Sequence, residues 1–379
     1  MSASPGSTRP DPQTTFYDHA VALARRYPDI PLPREGEPYP DEDRRAVRRF
    51  DGPSDDRDGA RTAQLIDDFF RTPIAQRDIA RLCRMTIEYQ VPIHRAPAVV
   101  AAIGRADRQQ VLDLGRHLTR TSTDTDPTVL GMAILAEVGT DEDIPLIRTI
   151  GLLSDTFGPL AAEALARLPK PTANLIRLTD RVSGWGRVYL VEAVCGLDDP
   201  LAHPWLLRKP CDGDFLNGYF AEKITRAAPV HEAIAAPDAD EDVVDHTGRL
   251  LSALVWSQGT GGTIIDYRHA EQVLTDYLTH TARLTPNLSR YRTIWSLARF
   301  SSGHCDFPPP DWPSLDSLRT SYWSLVTTPS WLSLLDAAAN SERERDQQWA
   351  SDVLQELDRH LADGGDEIAT GRVSLPTES

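Results

Sequence analysis

Cysteine is scarce in this chain. The sequence has four cysteines among 379 residues, and they lie far apart, at Cys83, Cys195, Cys211 and Cys305. They follow neither a CxxC spacing nor a Cys/His ligand spacing, and the ten histidines include no HExxH pair and no cluster. We therefore expect free thiols and no metal site.

Long apolar runs and strand patterns are also missing. No segment approaches the roughly 18 consecutive apolar residues of a membrane span, and the amino-terminal stretch MSASPGSTRPDPQTT lacks the apolar core of a signal peptide. No region alternates apolar and polar residues with β-branched enrichment, apart from a short TIIDY. The sequence therefore predicts an all-α protein without a membrane span, located in the cytoplasm.

Common catalytic and cofactor motifs are absent. The chain has no GxSxG elbow of an α/β-hydrolase, and its GTGGT segment at 259–263 lacks the Gly-Lys-Ser/Thr ending of a phosphate-binding loop. We predict no cofactor and assign no catalytic residue. The absence of these motifs argues against an enzyme but does not exclude one.

Basic residues are outnumbered, and the formal net charge is −16. Nucleic-acid affinity depends on Lys and Arg side chains that neutralise phosphates, so this charge argues against nucleic acid as the main partner. Residues 71–120 are an exception, with nine arginines against four acids. A solvated helix face explains this basic stretch most simply, and a patch for an anionic partner is the alternative.

A degenerate pattern recurs four times between residues 99 and 210. Each copy has two apolar residues three positions apart, on one helical face, and a second apolar doublet seven or eight residues later. The copies start 35, 30 and 29 residues apart, which suits two short helices with their connections. The first pairs are Val100 with Ile103, Leu135 with Val138, Leu165 with Leu168, and Val194 with Leu197; the doublets are Val111 with Leu112, Leu146 with Ile147, Leu175 with Ile176, and Trp205 with Leu206.

Proline and polar turns separate the two helices of a copy. Pro145 and Pro204 open second helices, and Pro127 and Pro159 precede or open first ones, where a missing N–H costs little. Asp143 stands beside Pro145 as an N-cap. A helical hairpin of this size cannot bury its apolar stripe alone, so the copies must pack on one another.

This pattern resembles the HEAT-like repeat families. The stretch GWGRVYLVEAVCGLDDPLAHPWLL, followed by FLNGYFAEKI, is similar to segments of uncharacterised bacterial HEAT-like proteins. The resemblance covers about a third of the chain. It implies an α-α superhelix of stacked antiparallel helical hairpins, a HEAT/armadillo-like α-solenoid, with longer irregular helices toward the carboxyl terminus. It implies no activity.

Shifts in composition divide the chain into four predicted segments. Residues 1–58 are rich in Pro, Asp and Arg and are expected to be partly disordered. Residues 59–236 hold the repeats, residues 237–363 form a helical region that continues the solenoid or packs on it, and residues 364–379 form a disordered tail. Further helices are predicted at 17–26, 60–71, 77–90, 243–256, 267–283, 289–300 and 341–361.

The copy that opens with GWGRVYLVE carries the candidate site. At helical spacing Trp185, Tyr189 and Glu192 share one face, and valines at 188, 191 and 194 form the other stripe. Glycines on both sides of Trp185 allow a tight entry into the helix. Packing between repeats, with a carboxylate paired to an arginine such as Arg187 or Arg226, is the competing explanation. The predicted binding surface comprises Trp185, Arg187, Tyr189, Glu192, Trp205, Asn217, Tyr219 and Glu222.

Three functions fit this sequence. The leading prediction is a non-catalytic scaffold whose concave face binds another protein or a peptide. The first alternative is a nucleic-acid enzyme, because some alkylpurine DNA glycosylases are built of HEAT-like repeats with aromatic and acidic residues at a basic groove. The second is a small-molecule enzyme that uses Glu192, Glu222 or Asp180 as acid or base. A pocket at Trp185 ringed by the arginines of 71–120 would favour the glycosylase.

Overall fold

The computed structural model describes residues 10–11, 13–48, 56, 58–257, 259–304 and 310–369. Every regular element within these residues is a helix, and they contain no strand, so the predicted all-α class is confirmed. The chain divides into two compact units, Met1–Ala202 and His203–Ser379. None of the described helices combines the length and the apolar character that crossing a membrane requires.

The first unit follows the predicted helix positions closely. The helices predicted at 17–26, 60–71 and 77–90 correspond to the first, third and fourth helices. The α-helices of the described part of this unit are α1 Phe16–Arg26, α2 Glu42–Arg48, α3 Ala60–Arg71, α4 Ile79–Tyr89, α5 Pro97–Arg105, α6 Arg108–Thr121, α7 Thr125–Val138, α8 Ile144–Gly151, α9 Ser154–Arg167, α10 Pro171–Thr179 and α11 Gly184–Gly196.

The recurring pattern corresponds to consecutive helix pairs. The first three copies are α5 with α6, α7 with α8, and α9 with α10, and α11 begins the fourth. The first helices pack in order, α5 on α7, α7 on α9 and α9 on α11, and so do the second helices, α6 on α8 and α8 on α10. Each copy also contacts the next through α6 and α7, α8 and α9, and α10 and α11.

The apolar pairs supply the core, as their spacing indicates. All sixteen of these residues are buried except Val100, Ile176 and Leu197, which are partly exposed. A fully buried Leu or Ile side chain contributes roughly 1.5–3 kcal/mol relative to an exposed one. The pattern therefore identifies most of the residues that hold the consecutive helix pairs together.

Buried carboxylates tie the helix starts to neighbouring segments. Asp41 accepts hydrogen bonds from the backbone N–H and the hydroxyl of Thr125, at 2.7 and 3.0 Å, where α7 begins. Asp143, beside the start of α8, accepts the N–H of Thr140 at 2.9 Å and the Nε of Arg116 in α6 at 2.7 Å. Asp41 satisfies a donor that the first turn of α7 leaves open. Asp143 accepts no hydrogen bond from the first turn of α8 and instead forms a capping box with Thr140 on the short 3₁₀ helix Asp141–Asp143, so its predicted role as the N-cap of α8 is wrong.

The described part of the second unit combines short and long α-helices, from four to 26 residues, several of which pack around one of them. The α-helices of its described part are α12 His203–Leu206, α13 Ala221–Ala227, α14 Val230–Ala235, α15 Glu241–Val255, α16 Ala270–Thr281, α17 Leu288–Ser301, α18 Leu315–Val326, α19 Pro329–Ala339 and α20 Glu344–Ala369. Helix α15 packs against α13, α14, α16 and α17, and α17 packs against α18 and α19. Helix α20 packs on α19.

The predicted segment boundaries fall at identifiable places. The helices predicted at 243–256, 267–283, 289–300 and 341–361 correspond to α15, α16, α17 and α20. The boundary predicted near 236 lies just after α14, inside the second unit. The predicted tail starts within α20, which continues to Ala369. Residues 370–379 of the predicted tail lie outside the described residues, as do residues 1–9, 12, 49–55 and 57 of the segment expected to be partly disordered.

Candidate functional site

A cleft of about 710 Å³ lies in the first unit at the amino ends of α7, α9 and α11. The segment 90–95, which joins α4 to α5, also lines it. The predicted residues Trp185 and Tyr189 both face this cleft. Its lining comprises Arg45, Asp56, Ile87, Gln90, Val91, Pro92, Ile93, His94, Arg95, Thr125, Asp126, Val129, Asp155, Thr156, Trp185 and Tyr189.

Two glycines determine how α11 enters the cleft. Gly184 has a φ of 58°, in the left-handed region, and a Cβ there would lie 1.7 Å from Oε1 of Glu35. A Cβ on Gly186 would lie 2.1 Å from the Cβ of Ser154 in α9. Glycine at 184 therefore permits the tight start of α11, and glycine at 186 permits the close approach of α9 and α11. Trp185, which stands between the two glycines in sequence, lines the cleft.

Helix α11 presents two faces of different character, as its spacing predicts. Valines at 188, 191 and 194 are at most 2% exposed, whereas Trp185 and Tyr189 are half-buried. The Trp185 and Tyr189 rings stack with centroids 6.1 Å apart, and the His94 ring meets Tyr189 edge-on at 5.3 Å. We call these three rings the aromatic platform; offset and edge-on contacts of this kind are the favoured geometries for aromatic rings.

The hydroxyl of Tyr189 is held in its neutral form. Burial, and then the negative charges of Asp155 and Glu192, raise the pKa of Tyr189 above its ordinary value. The hydroxyl can therefore donate a hydrogen bond at neutral pH. Asp155 is exposed at the second position of α9 and lines the cleft, whereas Glu192 is half-buried and is absent from the described lining.

Both signs of charge occur in the cleft, and most of the charged groups already have partners. Asp126 accepts the N–H of Val91 at 3.1 Å, and Asp56 accepts two backbone N–H groups and a hydroxyl at the start of α3. Arg95 pairs with Glu137 at 2.9 Å. Three carboxylates and two guanidinium groups line the described cleft, so it is not a basic groove.

The arginines of residues 71–120 do not ring the cleft. In the part of the lining that the structure describes, Arg95 is the one member of this group. Others are held elsewhere: Arg105 donates two hydrogen bonds to Asp67, at 3.0 and 2.7 Å, and Arg116 pairs with Asp143. These contacts favour an ion-paired helix surface as the explanation of the basic stretch.

Arg187, the fourth predicted residue in the first unit, lies in the protein interior. It is 8% exposed and donates to the carbonyl oxygen of Thr179 at 3.0 Å, at the carboxyl end of α10. A cation is favourable at this end of a helix, where carbonyl oxygens lack helical partners. Arg187 thus joins α10 to α11 and offers little surface to a partner.

The remaining predicted residues lie in the second unit, where two of them are buried. Trp205 is 9% exposed in α12, and Asn217 is 2% exposed. The side chain of Asn217 donates to Oδ1 of Asp212 at 3.0 Å and accepts the N–H of Gly213 at 3.1 Å. Asn217 therefore closes the turn that precedes the short 3₁₀ helix Phe215–Tyr219.

Glu222 and Tyr219 are more exposed than these two. Glu222 pairs with Arg226 one turn later in α13, the pairing that the sequence suggests as an alternative to a binding role. Tyr219 ends the 3₁₀ helix and is half-buried. The eight predicted residues are thus divided between the two units, and Trp185 and Tyr189 are the two found in the described cleft lining.

Sequence reasoning missed several residues of the cleft. The missed Asp126 and Asp155 each occupy the second position of a first helix, in α7 and α9, as the predicted Trp185 does in α11. An alignment of the copies on their helix starts places these three positions together. The alignment on the apolar pairs near the helix ends does not. His94 lies in an aperiodic segment between α4 and α5, and no sequence signal brings it to Tyr189.

The described residues hold no group of three or more His, Cys, Asp or Glu side chains suited to a metal ion. Cys83, Cys195 and Cys211 are free thiols, and Cys305 lies outside the described residues. Burial is the main cause that raises the pKa of the Cys83 thiol, which keeps it protonated and weakly nucleophilic.

Comparison with known proteins identifies no relative of this chain. The chain matches no protein-family model, and neither the curated proteins nor the solved structures gave a match. No residue role is therefore transferred from a relative.

Proposed function

We propose that this protein is a non-catalytic scaffold, and that its cleft at the amino ends of α7, α9 and α11 binds a segment of another protein or a peptide. The aromatic platform of Trp185, Tyr189 and His94 carries this proposal. Trp and Tyr side chains that are partly exposed in a concave site are the residues that most often dominate binding energy at protein interfaces.

The packing order of the helices supports a HEAT-like solenoid in the first unit. First helices contact first helices of the next copy, and second helices contact second helices, which is how stacked hairpins bury their apolar stripes. Stacks of this kind place equivalent helix ends side by side. The cleft lies where three such ends meet the segment 90–95, so its binding surface combines three successive copies with residues that precede the repeats.

Polarity in the cleft suits a peptide better than a nucleic acid. Arg45 and Asp155 provide charges of opposite sign beside the aromatic platform, and a peptide carries acidic, basic and apolar groups on one short segment. A phosphate backbone requires a surplus of cations instead. The three carboxylates in the cleft oppose such a partner.

The hydrogen bonds and ion pairs of the carboxylates support catalysis less than they support peptide binding. Asp56 and Asp126 accept hydrogen bonds from backbone N–H groups, and Glu222 pairs with Arg226 in the other unit. Carboxylates with these partners cap helices and neutralise arginine charge. A general acid or base needs instead to reach a substrate proton directly or through one water.

A peptide library displayed on phage tests this proposal. The library is selected on the purified full-length chain after depletion on the Trp185→Ala variant. We expect enriched peptides whose dissociation constant, measured by fluorescence polarisation, rises at least about tenfold in Trp185→Ala and in Tyr189→Ala. The control variant Phe215→Ala changes a side chain that is 82% exposed in the second unit, and it should bind like the wild type.

Two results would overturn the scaffold proposal. One is a selection in which no peptide prefers the wild type to Trp185→Ala. The other is release of an alkylated base from a DNA duplex by the wild type but not by Trp185→Ala, which would establish the glycosylase alternative. Circular dichroism of each variant verifies that the loss of binding is not a loss of folding.

A further inference from the structure

The second helices of two successive copies carry the same tripeptide. Leu-Ile-Arg occurs at 146–148 in α8 and at 175–177 in α10. The apolar doublet sets the repeat register, so Arg148 and Arg177 occupy equivalent positions. Because α8 packs against α10, the two arginines lie on adjacent helices of the first unit, on elements that do not line the cleft.

Arg148 is an unusual cation because its guanidinium is partly buried without an acid. Its Nε is buried and has no hydrogen-bond partner in the described part of the protein. No described carboxylate pairs with Arg148 or with Arg177. Burial, and then the positive charges of Arg177 and Arg181, lower the pKa of Arg148.

Arg181 supplies a third positive charge and is held in place by the backbone. It follows α10, and its guanidinium donates to the carbonyl oxygen of Tyr27 at 2.6 Å and to that of Ile30 at 3.4 Å. These carbonyl groups orient the side chain but do not neutralise its charge. The positive charges of Arg177 and Arg181 both act on Arg148, and we call these three side chains the arginine trio.

An arrangement of this kind becomes more favourable when an anion accompanies it. A partly buried guanidinium with an unpaired N–H loses hydration without gaining a hydrogen bond, and like charges add repulsion. Native proteins pair nearly all buried donors, and an exception points to a water or an ion at the site. The arginine trio has the donors that an oxyanion would need.

We propose that the arginine trio binds a phosphate group, as inorganic phosphate or as a small phosphate monoester. A phosphate group carries close to two negative charges near neutral pH and several acceptor oxygens, so it can pair with more than one guanidinium. Arginine matches this geometry through its planar fork of N–H donors. A carboxylate has one charge and two oxygens, which suits a single arginine.

Thermal unfolding and isothermal titration of the full-length chain test the site, with inorganic phosphate and glycerol 3-phosphate as probes. Sodium acetate and sodium chloride at matched ionic strength serve as reference anions. We expect phosphate to raise the unfolding temperature of the wild type more than either reference anion. The glycerol 3-phosphate arm distinguishes a monoester site, which binds it more tightly than phosphate, from a site for the free ion.

Substitutions in the trio separate binding from folding. Arg148→Met retains the aliphatic volume and removes the unpaired charge, so without phosphate it should unfold at the wild-type temperature or above. We expect its dissociation constant for phosphate, and that of Arg177→Gln, to rise at least about tenfold. Arg84→Gln removes an arginine whose side chain is 66% exposed on α4 in the same unit, and it should bind phosphate like the wild type.

Three outcomes would overturn the proposal. They are an equal phosphate effect in the wild type and Arg148→Met, an equal effect of acetate, and the absence of any phosphate effect beyond that of chloride. The phosphate site is independent of the peptide cleft. Trp185→Ala should therefore retain phosphate binding, whichever way the peptide selection turns out.

Discussion

Single residues at the helix ends shape the cleft. Gly184 provides the left-handed backbone that turns the chain into α11, and Arg187 holds the end of α10 through the carbonyl oxygen of Thr179. The Gly184 backbone and the Arg187 contact together fix the start of α11, and so they set the direction in which the Trp185 and Tyr189 side chains point. The positions of the rings thus depend on residues that a partner would never touch.

Replacing Gly184 by alanine should destabilise the first unit. Alanine would have to adopt the left-handed φ of Gly184, which it rarely does, and its Cβ would displace the flexible end of the Glu35 side chain. We therefore expect the backbone strain to cost about 1–3 kcal/mol in the free energy of unfolding. Urea denaturation followed by circular dichroism measures it. Gly196→Ala, at the end of the same helix with no atom within 4 Å of its Cβ, is the control. Equal stability of the two variants would show that Gly184 is under no constraint.

Individual helices are joined by buried polar contacts as well as by apolar stripes. Asp143 links the start of α8 to Arg116 in α6, and Asp41 links the amino-terminal segment to the start of α7. These contacts determine which helix ends meet. The repeat register places the apolar doublets of α8 and α10 at the core. It also places Arg148 and Arg177 at equivalent positions of these two packed helices.

The contact between Asp143 and Arg116 should make stability depend on pH. Burial by itself raises the pKa of Asp143, but the hydrogen bonds from Arg116 and Thr140 outweigh it and leave the pKa below its ordinary value. The contribution to stability is therefore complete above the unfolded pKa of about 3.9. It is lost as the pH falls through the lower pKa of the folded state.

The variant Asp143→Asn tests this dependence. At pH 7 we expect it to be about 1–3 kcal/mol less stable than the wild type, because Arg116 loses its partner, and the difference should shrink below about pH 4. Urea denaturation between pH 3.5 and 7 gives both values. Asp113→Asn, at an exposed position of α6, should change stability by less than about 0.5 kcal/mol. A difference independent of pH would exclude the ion pair as its source.

The whole chain consists of two units, each with its own core. In the first unit Phe157, Leu130 and Met132 are fully buried, and in the second Tyr277 and Tyr322 are at most 1% exposed. Side chains of this size contribute the largest apolar area to a core. The division after Ala202 falls in the fourth copy of the sequence pattern, between α11 and α12.

Because each unit buries its own core, we expect residues 1–202 to fold without the rest of the chain. The fragment should show the far-ultraviolet circular dichroism of a helical protein and a single cooperative thermal transition. A fragment ending at residue 183, which lacks α11 and exposes the apolar residues of α9 and α10, is the matched comparison and should be less stable. A fragment 1–202 that is unfolded in buffer would show that the units depend on one another.

Much of the fold could be predicted because it depends on local periodicity. Helical spacing of apolar residues places α1, α3 and α15 within two residues of their observed ends, and proline positions explain helix starts such as that of α8. The cleft was only half predictable. Trp185 and Tyr189 follow from their common helical face, whereas His94 and Asp155 come from elements distant in sequence.

The all-α class, the helix positions and most of the core residues follow from the sequence, because hydrophobic spacing, caps and prolines act within a few turns of one helix. Which side chains meet depends on the tertiary structure. It brought His94 to Tyr189, turned Arg187 inward, and placed Arg148 and Arg177 on two helices that pack against each other. Such contacts depend on how helices pack, and many sequences with the same periodicity would pack their polar residues differently.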